Sequence, residues 1–160
     1  WRDNRLNMIH EGTHGIQAMD LLGRKVLMEE GRGLQLLAGR IQATIAKTRP
    51  QPALTGYADA LAQALARVGA ATKAAWATGE PTEALANAVP YMQAFGHVVI
   101  AWVWLELSLA ARASKDEAHR AGVAGATAYF YQYELPKIDA WLRVVESRDM
   151  TCAHMPEAAF

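Results

Sequence analysis

Apolar residues recur three or four positions apart along most of the chain, the spacing of one face of an α-helix. This pattern predicts helices over residues 14–22, 34–47 and 54–77. The third helix has the longest apolar seam, of the kind that helical bundles bury. Its members are Leu54, Tyr57, Leu61, Leu65, Val68, Thr72 and Ala75.

The first two helices carry shorter stripes, with Ile16, Met19 and Leu22 in one and Leu34, Leu37, Ile41 and Ile45 in the other. Thr13 is a suitable N-cap for the first helix, because its hydroxyl can accept a hydrogen bond from a free amide of the first turn. Gly23, followed by two basic residues, predicts where this helix ends. Residues 29–33 are expected to form a loop or a frayed helix start.

Proline residues divide the second half of the chain. Pro90 interrupts a helical stretch over 81–113, which predicts a short helix before it and a long one after it, or one kinked helix. Ser114 is expected to cap a last helix over 115–147, bent at Pro136. No sustained alternation predicts a strand. We therefore expect an all-α, up-and-down bundle of about five helices, with a loose tail over 149–160.

The most apolar run, Val98 to Ala111, bears on membrane insertion. It contains Glu106 and spans about fourteen residues, whereas a membrane helix needs about twenty. The run therefore predicts a buried helix and no membrane span. Other helical side chains are also expected to be structural rather than ligands or a substrate cage, namely His97, His119, Trp76, Trp102, Trp104 and Trp141.

Composition and charge exclude several classes of protein. The 160 residues include 16 basic and 16 acidic side chains, so no net field attracts nucleic acid or an anionic membrane. Cys152 is the single cysteine, which excludes a disulfide framework and a cysteine-based zinc knuckle, and we expect it to be inert. The chain starts at Trp1 with neither an initiator Met nor a signal segment, which suggests a piece of a longer polypeptide.

His10, Glu11 and His14 form the H-E-x-x-H pattern of zinc proteases. On a continuous helix the two imidazoles share a face and hold zinc, while the carboxylate acts on bound water. Here Gly12 and Thr13, both weak helix formers, separate the histidines, and no third histidine follows at the metzincin spacing. A protease is therefore a minor alternative, and no metal site is predicted.

A longer string covers the same residues. Glu-Gly-Thr at 11–13, followed by Gly15-Ile16-Gln17 and by Asp20-Leu21-Leu22-Gly23-Arg24-Lys25, resembles the C-terminal catalytic segment of flavin-dependent acyl-CoA dehydrogenases. Later strings resemble the extra C-terminal helical domain of a bacterial branch of that family: Ala88-x-Pro90-Tyr91, Gly96-x-Val98, Trp102-x-Trp104, Phe130-Tyr131 and Leu135-Pro136. The resemblance is strong over 9–25 and weaker beyond.

The resemblance implies a role for each residue of the string. Glu11 matches the base that removes the α-proton of an acyl-CoA while the β-hydrogen leaves as hydride to FAD, giving a trans-2-enoyl-CoA. Thr13 matches a position that contacts FAD. Gly12 and His10 flank the base on the substrate side, and His10 replaces the usual tyrosine. Burial beside an apolar acyl chain disfavours the charge of a carboxylate and raises its basicity.

The resemblance also implies an organisation and partners. Residues 1–25 would carry the catalytic loop and the first helix of the dehydrogenase C-terminal domain, residues 26–148 the extra helical bundle, and residues 149–160 the tail. The parent would be a cytoplasmic homo-oligomer that passes electrons to an electron-transfer flavoprotein, and the isolated chain would be inactive. The alternative from another class is a non-catalytic helical interaction module.

Overall fold

The computed structural model describes residues 13–159, and all regular secondary structure in that range is helical. The predicted all-α fold is therefore confirmed. Seven α-helices follow one another along the described chain: α1 Thr13–Asp20, α2 Met28–Thr48, α3 Thr55–Ala75, α4 Pro81–Leu85, α5 Ala88–Ala111, α6 Glu117–Tyr129 and α7 Ile138–Ser147.

Helix α5 forms the centre of the bundle and packs against α1, α2, α3, α6 and α7. Its buried positions alternate between alanine and larger side chains, and α3 does the same. Small residues let neighbouring helices approach closely, and the larger ones fill the gaps between layers. The buried residues of the two helices include Ala58, Leu61, Ala64, Val68 and Ala71 of α3 and Tyr91, Ala94, Val98, Ala101 and Leu105 of α5.

The stripe predicted for α1 is wrong. Ile16 and Met19 are 65% and 47% exposed, whereas Ala18 and Leu22 are fully buried. A short helix that packs on one side buries only a narrow face, and residues four apart lie closer to one line along it than residues three apart. The apolar side chains of Ile16 and Met19 therefore form part of the outer surface of the described chain.

The interruption before α5 lies at Asn87 and not at Pro90. Asn87 has φ −115° and ψ 33°, outside the helical range, and separates α4 from α5. Pro90 occupies the first turn of α5. Backbone N–H groups there have no partner within the helix, so the N–H that proline lacks costs no helical hydrogen bond. The prediction of a short helix followed by a long one is confirmed.

The last predicted helix is divided into separate helical segments. Asp116, not Ser114, caps α6, since its Oδ1 accepts a hydrogen bond of 3.0 Å from the backbone N–H of His119. A π-helical turn at Phe130–Glu134 and a 3₁₀ turn at Leu135–Lys137 then lead into α7. Within the π-helical turn, Tyr131 is buried and donates a hydrogen bond of 3.0 Å to the carbonyl oxygen of Ala101 in α5. A bend at Pro136 stays a prediction.

Two buried hydroxyl pairs link helices across the core. The Tyr91 hydroxyl of α5 lies 2.7 Å from the hydroxyl of Thr72 in α3, and burial raises the pKa of Tyr91. Ser108 of α5 pairs in the same way with Thr127 of α6, at 2.7 Å. Buried hydroxyls are costly unless paired, so these contacts fix the axial register of the central helix.

Candidate functional site

The predicted catalytic residue Glu11, together with His10 and Gly12, lies outside the described residues. Thr13 is the first described residue; it begins α1 and its side chain is exposed, as is that of His14. Capping by Thr13 stays a prediction. The structure shows how the helix that directly follows the Glu11 string is attached to the rest of the bundle.

Helix α1 is held at its C-terminal end. Leu22, in the turn after α1, is fully buried, and its backbone carbonyl oxygen accepts a hydrogen bond of 3.1 Å from Nε1 of Trp76. Trp76 directly follows α3 and packs half-buried against the core. A side chain from the end of one long helix thus fixes the turn that positions α1.

Gly23 does not end the first helix, contrary to the prediction. The chain continues helically as a π-helical turn over Leu21–Lys25. A Cβ at Gly23 would lie 3.2 Å from Cδ2 of Leu85, so the missing side chain makes room for α4. Arg24 follows and bonds Asp20 through its Nε at 2.5 Å, which lowers the pKa of the Asp20 carboxyl.

A left-handed turn then redirects the chain into α2. Glu29, Glu30 and Gly31 have φ angles of 49°, 57° and 79°, where the sequence predicts a loop or a frayed helix start. Positive φ is unfavourable for residues with a Cβ, so two consecutive glutamates there store strain. The Gln35 side chain supports the turn by donating a 3.3 Å hydrogen bond to the carbonyl oxygen of Glu30.

A cavity of about 490 Å³ lies beside this turn. Its wall is mainly apolar and is contributed by the π-helical turn, by the start of α2 and by Phe95 of α5. The cavity, the left-handed turn and the buried end of α1 adjoin one another, so this corner is where α1 joins the rest of the described bundle.

A second cluster surrounds His97 on α5. Its ring packs edge-on against Trp141, with centroids 4.7 Å apart, and its Nε2 lies 3.6 Å from the carboxylate of Glu134. Lys137 bonds the same carboxylate at 2.6 Å and lowers its pKa. His97 is structural here, as predicted, and sequence spacing alone gave no sign of its partner in the π-helical turn.

An apolar ridge runs along the outer face of α5. Val89, Ile100, Val103 and Leu107 are each 37–44% exposed, and no charged side chain interrupts their line. We call these four residues the α5 ridge. The predicted buried run is thus part of a longer helix of 24 residues, which is central but exposed on one side.

By length and composition alone, α5 is the one helix of the described chain long and apolar enough to cross a membrane. This is weak evidence for a span, because the central helices of water-soluble bundles have the same properties. Five other helices pack around α5, as expected for such a central helix.

Residues 13–159 contain no group of three or more His, Cys, Asp or Glu side chains placed to hold a metal ion. Cys152 is a free, exposed thiol. The tryptophans are half-buried against the core, as predicted: Trp76, Trp102, Trp104 and Trp141. The described chain therefore presents a helical scaffold, with its candidate chemistry at the segment that leads into α1.

The fold of the described residues is that of an all-helical domain. Residues 37–156 match the family described as "Acetyl-CoA dehydrogenase C-terminal like", and the chain belongs to this family. The match begins inside α2 and continues beyond α7, so it covers most of the bundle.

Two curated relatives are also similar to the chain. The chain is 37% identical over 127 residues to 3-methylmercaptopropionyl-CoA dehydrogenase of Ruegeria pomeroyi, covering 78% of this chain and 21% of the relative. It is 26% identical over 178 aligned positions to the broad-specificity linear acyl-CoA dehydrogenase FadE5 of Mycobacterium tuberculosis, covering 99% of this chain and 28% of the relative. The chain thus spans about a quarter of the length of these relatives.

Proposed function

We propose that this chain is the C-terminal portion of an FAD-dependent acyl-CoA dehydrogenase and that Glu11 is its catalytic base. The observation that carries the proposal is the Glu11-Gly12-Thr13 string placed directly before α1, in a chain of the dehydrogenase C-terminal family. Two relatives named as acyl-CoA dehydrogenases support the substrate class.

The reaction divides the substrate's hydrogens between two acceptors. The Glu11 carboxylate takes the proton from the carbon next to the thioester carbonyl, and the electron pair of that bond forms the new double bond. FAD, when bound, accepts the β-hydrogen as hydride. The product is a trans-2-enoyl-CoA, and Glu11 then releases its proton to solvent or to the next acceptor.

Thr13 fits a contact with the cofactor. It begins α1, its side chain is exposed, and the amides at the start of a helix are donors suited to an anionic group such as a diphosphate. Gly12, which lacks a Cβ, permits the tight turn that directs Glu11 towards the acyl group. We assign His10, which precedes Glu11 in the sequence, to the substrate side of the site.

The anchoring of α1 gives the base a fixed origin. The buried Leu22 and the indole hydrogen bond from Trp76 hold the far end of α1, the helix that begins two residues after Glu11 in the sequence. A general base acts efficiently only from within hydrogen-bond distance of its proton, so a fixed origin favours catalysis.

We propose that the parent is a cytoplasmic homo-oligomer and that it passes its electrons to an electron-transfer flavoprotein. The uncharged α5 ridge and the exposed Ile16 and Met19 supply apolar surface for contacts with other parts of such an assembly. The isolated 160-residue chain is expected to be inactive, because it provides a base without the other walls of a flavin site.

The second candidate is a non-catalytic helical interaction module, which the α5 ridge also favours. Turnover of the intact parent distinguishes the two. Glu11→Gln is expected to abolish dehydrogenation of an acyl-CoA while the absorption spectrum of bound oxidised flavin is retained. A matched Glu157→Gln variant, changed in the exposed tail, should keep full turnover. A parent with no flavin would support the module instead.

A further inference from the structure

A second cavity, of about 270 Å³, opens where the end of α5 meets α6 and the turn before α3. Its apolar wall is formed by Leu54, Ala111, Val123 and Ala124. Ligand pockets in proteins usually have volumes of roughly 300 Å³ or more. This cavity lies at the lower end of that scale, so it suits only a small molecule. We call it the α5–α6 pocket.

Two arginines line the pocket, and no aspartate or glutamate does. Neither Arg112 nor Arg120 forms an ion pair with any residue from 13 to 159. Arg120 donates one hydrogen bond, of 2.8 Å, to the backbone carbonyl of Ser114. Asp116, at the start of α6, is engaged in capping the helix. The pocket therefore carries two positive charges that the described part of the chain does not neutralise.

Ser108 and Thr127 line the deep side of the pocket, but their hydroxyl groups have no free hydrogen to donate to a ligand. Thr127 donates its hydroxyl hydrogen to the carbonyl of Val123, at 2.8 Å, so the Ser108 hydroxyl must be the donor in the Ser108–Thr127 pair. Both hydroxyl hydrogens are thereby used inside the bundle, and neither is free to donate to a ligand. The interior consequently favours an apolar group, and the charged side chains mark where an anionic group belongs.

Tyr57 supplies a further donor. Its half-buried ring packs against Tyr131, with centroids 4.8 Å apart, and lines the pocket. The hydroxyl of Tyr57 is accessible to solvent and has no hydrogen-bond partner among residues 13–159. A ligand head at the pocket therefore has one neutral and two charged donors available.

We propose that the α5–α6 pocket binds an aliphatic carboxylate, with its head on Arg112 and Arg120 and its chain against the apolar wall. Guanidinium groups match the two oxygens of a carboxylate in a planar, bidentate arrangement. Arg120 uses one nitrogen on Ser114, so both arginines retain N–H donors for the two oxygens of a carboxylate head. The ligand is a free acid, and its binding does not depend on the proposed oxidation of a thioester.

Titration of the ¹⁵N-labelled 160-residue chain tests this, with octanoate, octanol, acetate and octyl phosphate as separate probes. Octanoate should give saturable shifts of amides at 54–57, 108–112 and 120–127, and the other three probes should bind at least about tenfold more weakly. Equal binding of octanol would show an apolar cleft without charge recognition, and tighter binding of octyl phosphate would show a phosphate site. Either result would overturn the proposal, as would the absence of octanoate shifts.

Variants locate the site. Arg112→Gln combined with Arg120→Gln should weaken octanoate binding about tenfold, since exposed ion pairs contribute modestly. Arg143→Gln removes an exposed arginine of α7 and should leave binding unchanged. Ala124→Leu, on the exposed side of α6, fills the pocket while keeping both charges, and should also weaken binding. Octanoate affinity unchanged in both pocket variants would refute the assignment.

Discussion

The indole Nε1 of Trp76 lies 3.1 Å from the carbonyl oxygen of Leu22 and donates a hydrogen bond to it. The two residues are 54 positions apart in the sequence, yet this contact joins the end of α3 to the turn that positions α1. It is the specific polar link between the bundle and the helix that follows the Glu11 string.

Trp76→Phe should keep most of the packing and lose this hydrogen bond. Removing one partner of a partly buried hydrogen bond costs about 1 kcal/mol of the free energy of unfolding. Chemical denaturation should show that loss, and hydrogen exchange should accelerate at the amides of residues 22–26. Trp104→Phe serves as the control, because the half-buried Trp104 indole has no hydrogen-bond partner within the described chain. If both variants accelerated exchange equally at the amides of residues 22–26, Trp76 would act through its side-chain volume and not through its hydrogen bond.

Two glycines at the ends of this corner should respond in opposite directions. Gly15 lies inside α1 with open space where a Cβ would be, so Gly15→Ala should stabilise the chain by up to about 1 kcal/mol through helix propensity. Gly31 has φ 79°, so Gly31→Ala should destabilise it by about 1 kcal/mol. Thermal unfolding of the two variants side by side measures both changes. A stabilising Gly31→Ala would contradict the left-handed turn.

The cluster at Glu134 predicts a pH effect on stability. The hydrogen bond from Lys137 lowers the pKa of Glu134 below its ordinary value of 4.5. A carboxyl with a depressed pKa in the folded state adds stability that is full above its unfolded pKa and is lost as the pH falls through the folded pKa. Glu134→Gln should therefore flatten the fall of stability below pH 4.5, whereas Glu157→Gln in the exposed tail should not. If the stability of the two variants fell equally steeply as the pH was lowered, the contribution of Glu134 would be contradicted.

The α5 ridge predicts an oligomeric contact. Ile100→Glu combined with Val103→Glu places two charges on an uncharged apolar face and should lower the molar mass of the parent assembly measured by light scattering. Gln63→Glu adds a charge at an exposed polar position of α3, away from the α5 ridge, and should leave the mass unchanged. A mass unaffected by the double variant would exclude the ridge from the interface.

The buried faces of long amphipathic helices were predictable, because an apolar stripe repeated over many turns defines a face even where single positions deviate from it. The α3 seam is an example: Leu54, Leu61, Val68, Thr72 and Ala75 are all buried, with Tyr57 and Leu65 packed beside them. The short helix α1 gave too few turns, so Ile16 and Met19 were assigned to the wrong face. The π-helical turn at Phe130–Glu134 was not predicted, because the visible local signal was Pro136 and no nearby residue encodes the contact of Tyr131 with Ala101.

The candidate site divides in the same way. The Glu11-Gly12-Thr13 string is contiguous, so a family resemblance could assign roles to its members. Its support comes from residues distant in sequence, such as Trp76 and Leu85, whose contacts with the turn after α1 no local pattern encodes. Their function as anchors emerges only from the packed bundle.

Exchange of the substrate's α-hydrogen with deuterated solvent tests whether Glu11 is the catalytic base, because the exchange needs the base and no net oxidation. The intact parent, with flavin bound, should exchange the α-hydrogen of an acyl-CoA. Glu11→Gln should abolish the exchange while flavin absorption persists, and Glu11→Asp, shorter by one methylene, should slow it. Exchange at the wild-type rate in Glu11→Gln would contradict the account and place the base on another residue.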